Sequence, residues 1–371
     1  MRIAIVAPHT FPIPPPTYSG EVVIYDLARS LDELGHRVDL YAPQGSWRPP
    51  HGNWFPMPCS YGASWPTAEQ AEQTTWDAYK DHILQADVVH DFSHSKRIAE
   101  IMGGNKVVST LLSSLWDHPS PPLNIVVWSQ SMRDRGLRGA TDYENTSFTV
   151  IDELTRARFN GKIKDAHVVP GGTDTDYYVP DGPKQKHFLW LNRWHPAKGY
   201  QVAIELARRT GVSLVLAGLH PEAVWAEDHR RNAQGAVELA KGLPNVRFEW
   251  LPREPPAEHH GLKRSLYQKA RALIYSVQFQ EPFGLAQVEA LACGTPVIAT
   301  NFGSVSEVIE HGRTGFVCNN MDELAQAVER IDSISPEDCH HAAVARFDRL
   351  VMARAYLAEY RCVVEGKTWG T

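Results

Sequence analysis

Short apolar runs, separated by polar, Gly-rich and Pro-rich stretches, recur along the chain and predict alternating strands and helices. Residues 2–7 (RIAIVA) read as a strand, and after Arg2 they are continuously apolar rather than alternating, as a strand buried on both faces requires. A Pro-rich loop (PHTFPIPPPTYSG) leads into EVVIYDLARSLDELGH, apolar at helical spacing with Gly35 as its stop. RVDLYAP reads as the next strand, and residues 44–81, rich in Pro, Trp and small side chains, read as a long irregular segment. ADVVHDF, NKVVSTLL, NIVVWSQ and either SFTVIDEL or AHVVPGG then alternate with polar or helical pieces, the pattern of a doubly wound α/β domain. Its end is expected near Asp165.

Beyond a connector dense in Gly, Pro and Asp (HVVPGGTDTDYYVPDGPKQKH), the alternation restarts. HFLWLNRW, VSLVLAG, VRFEWLP, RALIYSV, PVIAT and TGFVC predict the strands of a second parallel sheet. The expected organisation is a first domain over 1–165, a second over 166–346 and a helical tail over 347–371, with two similar sheets facing across a cleft. Apolar positions at Phe347, Leu350, Val351, Tyr356, Leu357 and Tyr360 give the tail a face that needs a surface to pack on.

At 371 residues, 43% hydrophobic and 22% charged, the chain has room for two full cores and falls outside the disordered and fibrous classes. A formal net charge of −6 argues against a nucleic-acid partner held by bulk charge. The five cysteines are scattered with no CxxC pair, so neither a disulfide framework nor a zinc site is expected, and a reducing cytoplasm fits. No window approaches eighteen apolar residues and the first residues are too short for a signal segment; neither a membrane span nor export is expected. Arg133, Arg135, Arg138, Arg156, Arg158, Lys162 and Lys164 are interleaved with acids and read as a solvated face, which limits any membrane association to a peripheral one.

The densest chemistry lies in residues 280–299, QEPFGLAQVEALACGTPVIA. Flanked by two strands, it reads as a loop entering a helix: Glu281 falls in the loop, Gly284 at the helix start, and Glu289 inside a helix of apolar neighbours, where a carboxylate needs a polar partner. In LNRWHPAKG, Arg193 and Lys198 follow the second domain's first strand. Two cations and a helix start at strand carboxyl ends could bind a diphosphate without a metal; equally, both could be surface charges of a βα loop. Asp174 and Asp176 (DTD) have the look of an Asp-x-Asp metal motif, but their place in the connector favours turn roles. His259 with His260, and His340 with His341, lack partners at metal-ligand spacing. No metal or other cofactor is therefore expected.

These motifs together resemble the retaining nucleotide-sugar glycosyltransferases of glycosyltransferase family 4, whose two Rossmann-like domains form the GT-B fold. The resemblance covers nearly the whole chain: ELGHRV, ADVVHDF, VVWSQSMRD, VVPGGTDTDYY, LNRWHPAKG, EPFGLAQVEALACGTPVIAT, SEVIEHGRTGFV and the tail. EPFGLAQVEALACGTPV is its most specific part. It implies that Glu281 contacts the donor sugar, that the backbone of Phe283, Gly284 and Leu285 contacts sugar and phosphate, and that Glu289 holds the ribose hydroxyls. Arg193 and Lys198 would stabilise the departing diphosphate, Gly20 would lie beside the phosphates from the first domain, and the tail helix would pack back on that domain.

The implied reaction transfers a sugar from a nucleotide diphosphate sugar, a UDP-sugar foremost, to an acceptor hydroxyl with retention and without a metal. It passes through an oxocarbenium-like state as charge grows on the leaving phosphate. The acceptor would be a small molecule, a glycan or a lipid-linked species, with Trp47, Trp54, Trp65 and Trp76 as stacking candidates or, equally, as anchors of an irregular segment. Three features depart from the family: a single glycine in TYSGE, Gly171 in place of a common Asn, and Leu112 where many relatives carry a His near the reacting sugar. His94 and His118 are the candidate replacements. The departures keep two rival readings in view, a GT-B nucleotide- or sugar-binding protein without transfer and a nucleotide-sugar hydrolase or epimerase.

Overall fold

The computed structural model describes residues 1–15, 20–58, 67–103, 106–110, 125–127, 167–223, 227–253 and 256–366. Two compact units divide the chain, Met1–Gly172 with Arg349–Thr371, and Thr173–Asp348.

The first unit is built on a seven-stranded parallel sheet in the order β3-β2-β1-β4-β5-β6-β7. Its strands are β1 Arg2–Val6, β2 Arg37–Ala42, β3 Asn53–Pro56, β4 Val88–Asp91, β5 Val107–Thr110, β6 Ile125–Val127 and β7 His167–Val168. β1 and β4 are buried along almost their whole length, β1 through the apolar run after Arg2 and β4 through Val88 and Val89 followed by the buried polar His90 and Asp91. After β3 the chain returns to pair β4 on the opposite side of β1, so strand order reverses between β1 and β4. The tail helix Arg349–Val364 is stitched to this unit: Arg349 Nη1 donates to Glu33 Oε2 at 2.6 Å and to Ser30 Oγ at 3.1 Å, and Tyr360 Oη lies 2.6 Å from His90 Nδ1.

The stretch read as irregular over 44–81 in fact holds β3 and the helix Ala68–Ile83. The helix sequence is largely polar and buries only Ala71, Glu72, Thr75 and Ile83, which leaves too narrow an apolar stripe for periodicity to reveal. Its start does carry a signal: Thr67 and Gln70 form a reciprocal capping box, a T-x-x-Q spacing. The aromatic residues here anchor the segment. Phe55 stacks on Tyr41 with centroids 4.6 Å apart, Trp54 Nε1 donates to the Ala42 carbonyl at 3.3 Å, Trp47 meets Tyr25 edge-on at 5.6 Å, and Trp76 packs on the core. Trp65 lies outside the described residues.

The second unit holds a six-stranded parallel sheet in the order β10-β9-β8-β11-β12-β13. Its strands are β8 Phe188–Leu191, β9 Leu214–Leu219, β10 Val246–Leu251, β11 Ala272–Tyr275, β12 Val297–Thr300 and β13 Gly315–Cys318, the six runs expected from the sequence. The chain builds outward from β8 to β10 and then crosses back to β11 on the other side of β8. In open α/β sheets such a reversal parts the loops at the strand carboxyl ends and opens a crevice there. The loops bordering that point are the ones after β8 and β11, which contain LNRWHPAKG and QEPFG.

Candidate active site

The loop after β8 is fixed by aromatic packing. Trp194 is 1% exposed; its ring lies 5.0 Å from Trp190 and 5.5 Å from Trp250, and its Nε1 donates to the Leu219 carbonyl at 2.9 Å. His195 then caps a 3₁₀ turn, Pro196–Lys198, its Nδ1 accepting the Ala197 N–H at 3.2 Å. Gly199 closes the turn at φ +73°, and a Cβ there would overlap the Ser276 carbonyl oxygen, so this position requires glycine. The loops after β8 and β11 touch at that point: Ser276 Oγ donates to the Gly199 carbonyl at 2.7 Å and Gln278 N–H to the Ala197 carbonyl at 2.7 Å.

This contact delivers Lys198 to Glu281. The Lys198 ammonium donates directly to Glu281 Oε2 and lies 4.6 Å above the centre of the Phe279 ring. A hydrogen bond from Tyr275 reaches the same carboxylate. Arg193 is exposed at the head of the loop. Burial lowers the Lys198 pKa; Glu281 opposes the shift and the neighbouring Arg193 adds to it. Both cations singled out in the sequence therefore share one electrostatic neighbourhood with Glu281.

The backbone from Glu281 to Gly284 is clamped by the loop after β12. Ser304 N–H donates to the Glu281 carbonyl at 3.0 Å, Ser304 Oγ to the Phe283 carbonyl at 2.8 Å, and Gly303 N–H to Gln280 Oε1 at 2.9 Å. Gly303 is at φ +63° with no room for a Cβ against the Glu281 backbone. Gly284, at φ +80°, is the N-cap of the helix Leu285–Ala292, where a Cβ would collide with the Tyr275 hydroxyl. Phe283 is 3% exposed and Leu285 half-buried.

Glu289 is 2% exposed, and the polar partner its burial demands is Lys263. Lys263 Nζ donates to Glu289 Oε1 at 2.7 Å and Tyr267 Oη to Glu289 Oε2 at 3.1 Å. Sequence reasoning missed Lys263. Its one signal is position: His259, Lys263, Leu266 and Tyr267 share the buried face of the helix Pro256–Lys269. Asp174, the first residue of DTD, accepts the backbone N–H groups of Asp176 at 3.1 Å and Tyr177 at 3.2 Å, the turn role its place in the connector suggested.

His195 and His229 were also missed. His229, on the helix Glu227–Leu239, has its ring centre 6.4 Å from that of His195. Burial, then Arg193, His229 and Lys198, push the His195 pKa down to about 4. His229 is lowered by burial and by Arg193.

In the first unit, Gly20 is the N-cap of the helix Glu21–Glu33, its carbonyl accepting the Val23 N–H at 3.0 Å. His94 is half-buried and lowered by burial and Lys96. It lies near the strand-order reversal of its own sheet, in a polar cluster that the sequence did not reveal. His9 Nε2 is 2.8 Å from Thr75 Oγ1, and its pKa is pushed down to about 4 by burial, then by His94. Lys96 stands at φ +59° with Nζ donating to the carbonyls of Asp91 at 2.8 Å and Thr110 at 3.0 Å; burial lowers it to about 8. Leu112, His118 and the cations from Arg133 to Lys164 lie outside the described residues. Among the described residues no group of three or more His, Cys, Asp or Glu is arranged to hold a metal ion, and no helix is long and apolar enough to cross a membrane.

Residues 180–344, most of the second unit, match the family model described as Glycosyl transferases group 1. A D-inositol 3-phosphate glycosyltransferase of Paenarthrobacter aurescens (strain TC1) is 30% identical over 238 residues, 58% of this chain and 56% of the relative. A GDP-mannose-dependent alpha-(1-6)-phosphatidylinositol monomannoside mannosyltransferase of Mycobacterium tuberculosis (strain ATCC 25618 / H37Rv) is 28% identical over 207 residues, 49% of this chain and 51% of the relative. The chain thus spans about half the length of these curated relatives. Among solved structures, a sucrose-phosphate synthase from Thermosynechococcus elongatus superposes with a TM-score of 0.71 at 17% identity, covering 99% of this chain and 100% of its own. A glycosyltransferase involved in avilamycin A biosynthesis gives 0.67 at 21% identity, covering 100% and 99%. The fold of the chain is GT-B, and its second unit carries the match to the group 1 glycosyl transferases.

Proposed function

We propose that the protein is a retaining glycosyltransferase of family 4 that moves a sugar from a nucleotide diphosphate sugar to an acceptor hydroxyl without a metal. The observation that carries this reading is the Lys198–Glu281 contact beside Arg193, at the point where strand order reverses in the second sheet. An ammonium has three N–H donors, and Glu281 engages one, which leaves two for phosphate oxygens. Arg193 adds a planar fork suited to the same oxygens. Glu281, held by Lys198 and Tyr275, faces the donor sugar; the backbone of Phe283, Gly284 and Leu285 takes sugar and phosphate; Glu289 takes the ribose hydroxyls.

In the reaction the bond between the anomeric carbon and the phosphate oxygen breaks while the acceptor oxygen bonds to the same face. The acceptor proton passes to the departing phosphate. Fixed cations lower the barrier because the charge they meet grows as that bond breaks. A UDP-sugar is the proposed donor; an Anabaena protein with the same fold has been solved in complex with UDP and glucose, at a TM-score of 0.66 and 17% identity. The proposed acceptor is a small molecule, glycan or lipid-linked species, and the proposed location is the cytoplasm. A thermal-shift screen of nucleotide sugars in the presence of a chelator tests donor binding, since a ligand that binds only the folded state raises the unfolding midpoint. A saturable shift by a nucleotide diphosphate sugar is expected; no shift with any base or sugar would refute the donor reading.

A further inference from the structure

β10 is an edge of the second sheet: it pairs in parallel with β9 on one side, and among the described residues no strand pairs it on the other. Two contacts show which way its backbone points. Leu214 N–H donates to the Asn245 carbonyl at 2.8 Å and His220 N–H to the Leu251 carbonyl at 3.2 Å, so residues 245 and 251 face β9. By the two-residue period of a strand, 247 and 249 face it too, and the backbone groups of Val246, Phe248 and Trp250 point outward. The Val246 N–H is taken by the Leu243 carbonyl at 3.2 Å, whereas the outward groups of Phe248 and Trp250 have no strand to meet among the described residues. Such an edge is a template for another strand, and charge is a common way of keeping copies apart.

The charges on this edge are arranged to attract a copy instead. Residues 246–250 read VRFEW, with opposite charges placed symmetrically about Phe248. An antiparallel pair of two copies centred on Phe248 sets Arg247 of each across from Glu249 of the other. These fall at the positions without backbone bonds, where facing side chains stand closest, while the two Phe248 residues exchange both backbone bonds and each Trp250 N–H meets a Val246 carbonyl. Centring the pair on Arg247 or on Glu249 would set like charges opposite, so the charges also fix the register. Within one chain Arg247 Nη1 and Glu249 Oε2 are 3.6 Å apart, with 54% and 35% of their side chains exposed, a loose pair that can be exchanged for a cross-strand one. On the other face Phe248 and Trp250 are half-buried and stacked at 5.4 Å, and their counterparts would extend that apolar row.

We propose that the protein self-associates as a two-fold symmetric dimer through β10, which pairs with the same strand of a second copy in antiparallel register about Phe248. The same patch serves both copies, as a two-fold axis requires. A contact confined to one strand of six residues is smaller than the about 1,200 Å² at which stable interfaces begin, so the dimer is weak and forms at micromolar or higher concentration. It does not depend on donor binding.

Sedimentation velocity of the full chain, from low micromolar to submillimolar concentration and at two salt concentrations, tests it. The wild type is expected to pass from monomer to dimer as concentration rises, and salt should weaken the dimer because exposed charges are screened. Arg247→Glu sets Glu against Glu, and Glu249→Arg sets Arg against Arg; each alone should weaken dimerisation by about tenfold or more. Both side chains reach solvent, so the fold should survive either change, which circular dichroism checks. Mixing the two variants makes every facing pair opposite in sign again and should give a one-to-one heterodimer. The double variant Arg247→Glu with Glu249→Arg should self-associate as the wild type does. A wild type that stays monomeric at the highest concentration, single variants that dimerise undiminished, or a mixture that fails to associate overturns the proposal.

Discussion

Lys263 Nζ lies 2.7 Å from Glu289 Oε1, and each side chain is only 3% exposed. A buried pair of this kind stabilises little relative to two apolar residues, yet removing one partner strands the other charge. Lys263→Met is therefore expected to cost about 3–5 kcal/mol, measured by denaturant unfolding followed through tryptophan fluorescence. Lys263→Met combined with Glu289→Leu should recover most of that loss while abolishing donor binding. A single variant as stable as the wild type would contradict the pairing.

Gly199 is the pin between the loops after β8 and β11. Ala at this position must adopt φ +73° and push into the Ser276 carbonyl oxygen, so the two loops must separate. Gly199→Ala is predicted to cost at least about 2 kcal/mol and to lower turnover, because Lys198 no longer meets Glu281. An active, stable Gly199→Ala protein would show that the contact is not needed.

The two cations should affect rate more than affinity. Charge on the leaving diphosphate is greater in the transition state than in the bound donor, so Arg193→Ala and Lys198→Ala are each expected to lower kcat by about 100-fold or more with a smaller change in KM. An unchanged kcat would refute their placement.

How much of this was legible in the sequence varies by residue. Most strands of both parallel sheets follow from short apolar runs that alternate with helical or polar stretches, and residues 280–299 can be read as a loop entering a helix because two strands bracket them. The burial of Glu289 was legible from its apolar neighbours, whereas its partner sits 26 positions upstream on another helix, a distance no local pattern spans. His195 was hidden for a different reason: its role is a side-chain cap on a turn, which leaves no periodicity. Asn53–Pro56 is a short edge strand paired only with β2, too brief for alternation to register.

Acid stability gives a further check. Burial, as the largest cause, holds His9, His195 and His259 each at about 4. The unfolded chain titrates its histidines near 6.5, so between about 6.5 and 4 it binds more protons than the folded protein, and stability falls as pH drops through that window. Carboxylate pairs such as Glu33 with Arg349, whose folded pKa is lowered, lose their contribution only further down the scale. His9, which is 1% exposed, alone accounts for a change on the order of 3 kcal/mol. The unfolding midpoint should therefore decline between about pH 6.5 and 4.5, and His9→Gln should flatten that decline; a midpoint independent of pH across this range would contradict it.

The central claim is tested most directly by nucleotide diphosphate release from a panel of nucleotide sugars, in a chelator, with and without acceptors drawn from sugars, polyols and lipid-linked glycans. The account predicts release that depends on acceptor, survives the chelator and yields a glycosidic bond with the anomeric configuration of the donor. Tight donor binding without release under any condition, release without acceptor, an inverted product, or activity lost to the chelator and restored by Mg²⁺ or Mn²⁺ would contradict it.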